Sequence, residues 1–330
     1  MSVGDTEFNG AFEAGLGLGT PYPAPPASKL FVDNAEIDVT QSVSEKVSVV
    51  LNNNLAMSST STHPAFDAFD SRKYWGDVLL QGGTQGGQLT LASTAAFMRY
   101  QTSENFSLSV GYGPVPFGME FLTGRYDMPT YYYSYAITLA NNLGWMYDLG
   151  VWARITNVVP GTIEVAALDG RQLPGGDIPK GALRWHLDVN AGGLTITPVF
   201  SIYLGGFPPI STPFDEGGVT VGAQWKAGNF WANTEYLLID QPADNTRYIG
   251  QSFVIEPGVD LGDYGISAKL DLASLKTGDA DTVSDANVGL AVSRRFDGAR
   301  IRATLMLANL DKRLGPDQIT DFRLLFGTSW

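Results

Sequence analysis

Apolar and polar residues alternate at period two along most of the chain, the pattern of strands with one face in an apolar medium and the other in a polar one. The C-terminal segment DFRLLFGTSW puts Phe322, Leu324, Phe326, Thr328 and Trp330 on one face, and Asp321, Arg323, Leu325, Gly327 and Ser329 on the other. Near the N-terminus, Phe8, Phe12, Ala14, Leu16 and Leu18 alternate with Glu7, Asn9 and Glu13. Followed from end to end, the rhythm predicts strands over 6–19, 29–40, 46–57, 87–101, 105–113, 145–156, 161–169, 181–191, 194–204, 217–226, 229–239, 247–256, 261–273, 284–296, 299–309 and 319–330. Val, Thr, Tyr and Gly dominate these segments, and the strict alternation excludes helix.

Short and long connectors take turns. Seven short ones fall near 41–45, 102–104, 157–160, 192, 227, 257 and 297, and the other eight are mostly longer. Gly192-Gly193, Ala227-Gly228, Pro257-Gly258 and Asp297-Gly298 supply the turn chemistry. Sixteen strands of roughly the 9 to 11 residues that a tilted membrane strand needs, with both termini on one side, predict an all-β fold. That fold is a closed antiparallel transmembrane barrel, a single domain over 1–330, with its short turns toward the periplasm.

No apolar run of 18 residues occurs in the 330, so a membrane role would have to be β. The chain has no Cys, which excludes disulfides and thiolate chemistry, and only His63 and His186. A net charge of -13 argues against nucleic-acid partners. The N-terminal MSVGDTEFNG is not a signal peptide and taken alone predicts a cytoplasmic protein. With an exported barrel, Met1 is instead expected to be a start codon ahead of a mature sequence, and the strand pattern favours that view.

The terminal strand, ending on Trp330, resembles the closing strand of bacterial outer-membrane barrels, where such a terminal aromatic acts as an assembly signal. A sixteen-stranded barrel whose long loop, about 114–144, lies between strands 5 and 6 resembles the general porins. The resemblance implies that this third loop folds into the lumen and narrows it. The segment VGYGPVPFGMEF also resembles the Gly-x-x-x-x-Pro-Phe-Gly-x-Glu motif of OmpL-like and phosphate-selective porins. Where a phosphate-selective member carries lysines, loop 3 has Arg125 and no Lys.

If loop 3 enters the pore, Glu120, Arg125 and Asp127 are the constriction candidates, because charges at a narrow point set ion selectivity. Glu120 has an alternative role as a tie between loop and wall. Tyr131, Tyr132 and Tyr133 form either an aromatic slide for sugars or the packing of the loop. The alternation assigns Lys46, Arg99, Arg154, Arg184, Arg302 and Arg323 to the pore wall, with Glu13, Glu164, Glu235 and Asp271 among the inward acids. These charges either set up a transverse field or pair with one another. Ala92, Thr94 and Ala96 read as a flat outer face suited to subunit packing, hence an expected homotrimer.

No nucleophile elbow, P-loop or zinc-protease motif is present, and an enzyme is not expected. No cofactor is expected, with Asp279, Asp281 and Asp285 in an external loop as a Ca²⁺ candidate against simple solvated charge. The expected function is an outer-membrane diffusion channel for ions and small hydrophilic solutes, weakly cation-preferring. Its expected partners are outer-membrane lipids, lipopolysaccharide and the barrel assembly machinery. The alternatives are a barrel that scaffolds an adhesin or hydrolase, or one that sheathes a partner protein.

Overall fold

Sixteen strands form one antiparallel sheet in which each pairs with the next. They are β1 (Thr6–Pro21), β2 (Ala27–Ser42), β3 (Val47–Ser58), β4 (Gln88–Ser103), β5 (Phe106–Pro114), β6 (Tyr147–Thr156), β7 (Thr162–Leu168) and β8 (Lys180–His186, continued by Val189–Ala191). Then follow β9 (Leu194–Gly205), β10 (Glu216–Ala227), β11 (Phe230–Ala243), β12 (Thr246–Leu261), β13 (Tyr264–Thr277), β14 (Val283–Phe296), β15 (Ala299–Ala308) and β16 (Ile319–Ser329). A two-residue segment, Ser2–Val3, pairs back onto β1. This computed structural model describes residues 2–3, 6–21, 27–58, 88–120, 128–130, 134–137, 147–169, 180–205, 216–243, 246–308, 310 and 319–329.

The ring closes where β16 pairs with β1, with Leu325 opposite Gly15 and Gly327 opposite Glu13. Among the described residues every strand is paired on both sides, as a hydrocarbon surround requires. Tight turns hold one rim: Ala191 pairs with Leu194, Ala227 with Phe230, Leu261 with Tyr264 and Phe296 with Ala299, each across two residues.

One expected turn is not a turn. Pro257 and Gly258 lie inside β12, opposite Ala232 and Trp231, and the chain reverses at Gly262-Asp263. Proline gives no N–H, and the ladder with β13 skips Glu256 and Pro257 before resuming at Gly258. Glycine is required by what lies beside it, since a Cβ there would sit 2.0 Å from the Trp231 ring. A second irregularity lies between β3 and β4, where Asn52 pairs with Ala95 and Asn53 with Ser93, leaving out Thr94. This bulge interrupts the strict alternation on which the flat face of Ala92, Thr94 and Ala96 rests; the side chains of Ala92 and Thr94 lie outside the described ones.

The two faces differ as the sequence pattern demands. Leu149, Val151, Phe200, Val221, Phe253, Leu272, Leu290, Val292 and Phe326 are exposed on the outside, a surface that only an apolar surround stabilises. Trp225, Phe230, Tyr264 and Phe296 are exposed beside the tight turns, as an interfacial girdle needs. Two outward charges found near strand ends are held by neighbours. Arg294 lies 5.2 Å from the Tyr264 ring centre and 4.8 Å from that of Phe296, and Arg247 grips Asp240 through two 2.6 Å bonds. Among the described residues no helix is long and apolar enough to cross a membrane.

Candidate functional site

The inner face carries the ionisable residues at every second position: Glu13 on β1, Glu235 on β11, Glu256 on β12, Lys269 and Asp271 on β13, Arg300 and Arg302 on β15, Arg323 on β16, all buried. What buries part of this face is the connection between β5 and β6, residues 115–146, of which 115–120, 128–130 and 134–137 are described. Its apolar residues Val115, Phe117, Met128, Ala136 and Ile137 form one cluster with Ala166, Leu168, Ala182, Tyr203, Leu237, Ile239 and Val254 of the wall. Phe117 meets Tyr203 edge-on, with ring centres 6.3 Å apart.

Polar wall residues receive the loop's backbone. Gly118 has a φ of 76°, a left-handed conformation open to glycine, and donates its N–H to Ser201 Oγ at 3.1 Å. The next two amides, of Met119 and Glu120, donate to the Glu235 carboxylate at 2.8 and 3.3 Å. Thr130 donates its N–H and its hydroxyl to Glu256 Oε1, at 3.1 and 2.5 Å. Tyr135 N–H reaches Asp271 at 2.6 Å, and Ala136 N–H reaches Ser252 Oγ at 2.9 Å. Burial, with the Asp271 carboxylate beside it, pushes the Tyr135 phenol above the usual tyrosine range. Arg302 donates to the Met128 carbonyl and, at 2.5 Å, to Glu13, which also has Arg300 at 3.6 Å. Gly327 separates Glu13 from Arg300 in the register, and its missing side chain lets the two long ones meet across β16.

Glu120 is a tie. It accepts the Ser134 N–H at 2.7 Å, drawing the loop onto itself, and pairs with Lys269 of the wall. Arg125, Asp127, Tyr131, Tyr132 and Tyr133 lie outside the described residues. So does Trp330. Lys46 is exposed in the turn before β3 instead of on the wall, because β3 begins at Val47. Arg302 and Arg323 are fully buried on the wall, and Arg99, Arg154 and Arg184 gather near the tight-turn rim on β4, β6 and β8. There Glu164 holds Arg184 at 3.0 Å and Arg154 at 4.0 Å. Asp279 and Asp281 are exposed between β13 and β14, whereas Asp285 is buried on β14. Among the described residues no group of three His, Asp or Glu is placed to hold a metal ion.

Several buried wall residues escaped the sequence. Glu256 sits next to the false turn, at the very end of the strand expected there. Lys180 and Glu216, which pair at 2.9 Å with Tyr203 OH donating to Glu216 at 3.1 Å, fall one residue outside the expected strands. Extending each alternation by one step would have found them.

No family model and no curated protein matches the chain by sequence. Solved structures match by shape along nearly its whole length. OmpT of Vibrio cholerae, an outer-membrane protein folded in vitro and solved in a trimer form, is 10% identical, with 98% of this chain and 99% of that one covered at a TM-score of 0.60. OprB of Pseudomonas putida is 11% identical, with 99% and 94% covered at 0.64. The anion-selective porin from Comamonas acidovorans is 9% identical, with 98% and 99% covered at 0.64. At such identities the likeness is one of fold: a closed barrel of the porin type.

Proposed function

We propose that the chain is a bacterial outer-membrane channel, passing ions and small hydrophilic solutes by diffusion through a lumen that loop 3 narrows. The observation that carries this reading is the pairing of a closed, outwardly apolar barrel with a charged inner face to which loop 3 is bonded on β9, β11, β12, β13 and β15. A loop tied at so many points is a fixed restriction, which a diffusion pore needs and a sheath for a partner protein does not. The protein acts by passage and not by catalysis, and we assign it a trimeric state, in line with the trimer form of the similarly folded OmpT. Its weak cation preference comes from opposed fields. The net charge of -13 enriches cations at the mouths, while Arg99 and Arg154 face the lumen near the tight-turn rim.

Planar-bilayer recording of the refolded protein tests this. Stable conductance steps are expected, with a KCl-gradient reversal potential slightly on the cation side. A folded barrel that inserts and stays silent overturns the channel, and strong anion selectivity at low salt overturns the balance of fields.

A further inference from the structure

Strand β5 turns only small residues to the inner face, Ser107, Ser109, Gly111 and Gly113, between two strands that turn large ones. Phe97 and Arg99 stand on β4, and Trp152 and Arg154 on β6. The mismatch in size leaves a cavity of about 130 Å³, near the order of 150 Å³ that binds benzene in an engineered protein interior. Its apolar wall is the tilted pair of Phe97 and Trp152, with ring centres 6.4 Å apart and planes splayed by 43°. Trp152 Nε1 donates to the Pro114 carbonyl at 3.1 Å, which fixes the indole plane. Gly113 lies between the two rings, where a Cβ would stand 3.4 Å from Phe97 and 3.5 Å from Trp152.

Arg99, Arg154 and Glu164 line the polar side of the cavity, two cations against one carboxylate. Ser109 is registered opposite both Arg99 and Trp152, so a guanidinium and an indole flank it one strand to either side. Ser107 is registered opposite Arg154 in the adjacent row. Glu164 lies closer to Arg184 than to Arg154, and among the described residues no carboxylate reaches ion-pairing distance of Arg99. The Arg99 guanidinium is 5.4 Å from the Phe97 ring centre, and both Arg99 and Arg154 are exposed.

We propose that this cavity is a binding subsite for a small aromatic carboxylate, its ring packed over Ser109 against the edges of Phe97 and Trp152 and its carboxylate on Arg99, with Arg154 beside it. A neutral sugar leaves the Arg99 guanidinium unmatched, since Glu164 reaches Arg154 and Arg184 alone, and an inorganic anion leaves the aromatic wall uncovered. The subsite rests on the channel reading only for the route by which a solute arrives.

Calorimetric titration of the refolded barrel in detergent micelles with benzoate tests it, with acetate, benzamide, inorganic phosphate and glucose as the other arms. Benzoate is expected to bind at least about tenfold more tightly than acetate or benzamide. R99Q and R154Q should each weaken benzoate by about tenfold, and S109L, which fills the cavity and keeps both charges, should remove binding. Acetate or phosphate matching benzoate would reduce the site to a basic patch, and glucose exceeding it would make it a sugar site; either overturns the proposal. So does S109L or R99Q leaving the benzoate affinity unchanged in protein that keeps its β-rich spectrum. The titration needs no conductance. A silent barrel that binds benzoate therefore refutes the channel alone, and a conducting one that ignores benzoate refutes the subsite alone.

Discussion

The Glu235 side chain holds two consecutive loop amides with one carboxylate, and so does more than neutralise a wall. Bonds from a backbone N–H to a carboxylate contribute about 1.5 to 3 kcal/mol each, more than neutral ones. Replacing Glu235 by Gln keeps the shape and removes the charge, so the amides of Met119 and Glu120 should exchange with solvent at least about tenfold faster. Hydrogen exchange read by mass spectrometry measures this, and unchanged protection would mean that packing of Phe117 alone seats the loop. At this scale the alternation showed which way Glu235, Asp271 and Arg302 point. It was silent on their partners, because a loop amide and its acceptor lie 115 to 136 positions apart in the Glu235 and Asp271 bonds. Such pairs are set by how the loop folds back, which no local pattern encodes. The same limit explains Glu120: its charge and place in the Pro-Phe-Gly-Met-Glu segment were plain, but its bonds to Ser134 and Lys269 were not.

Strands were legible because a wall between hydrocarbon and water forces one residue in two toward each, a rule that the described side chains follow except at bulges such as the one at Thr94. The ends are where reading failed. Pro257-Gly258 has the chemistry of a turn, yet in β12 the glycine makes room for the Trp231 indole and the proline sits where the ladder is already open. A G258A substitution should therefore cost about 1 to 3 kcal/mol through overpacking, seen as a lower denaturant midpoint for unfolding. In a G258A/W231L background most of that loss should return, whereas additive losses in the double variant would show that the backbone, not the ring, demands glycine.

At the scale of the whole molecule, the alternation supplied the count of sixteen and parity checked it, since a ring of antiparallel strands with both ends on one rim must be even. What parity does not show is where the ring is fastened. Glu13 and Arg302 are 289 positions apart, stand on the strands that flank β16, and share their bond with the Met128 carbonyl of loop 3. Removing one member of a buried ion pair costs about 3 to 5 kcal/mol, so E13Q should lower the stability of the closed form by that order in denaturant titration.

That shared bond also bears on the order of events in folding. The loop's bonds to β9, β11, β12 and β13 do not need the ring shut, but Arg302 joins Met128 of the loop to Glu13 across the closing strand. Docking of the loop and shutting of the ring are therefore expected to share one late kinetic step, because contacts this distant in the chain are the slowest to form. Fluorescence of a variant that keeps Trp152 as its single tryptophan, of the seven in the chain, and the electrophoretic shift of the closed barrel should report the same slowest rate during refolding into micelles. E13Q should slow both together. Two separable rates, with the shift complete before the loop amides gain protection, would mean that the barrel shuts first and admits its loop afterwards, as a latch that closes on an empty box and is later filled.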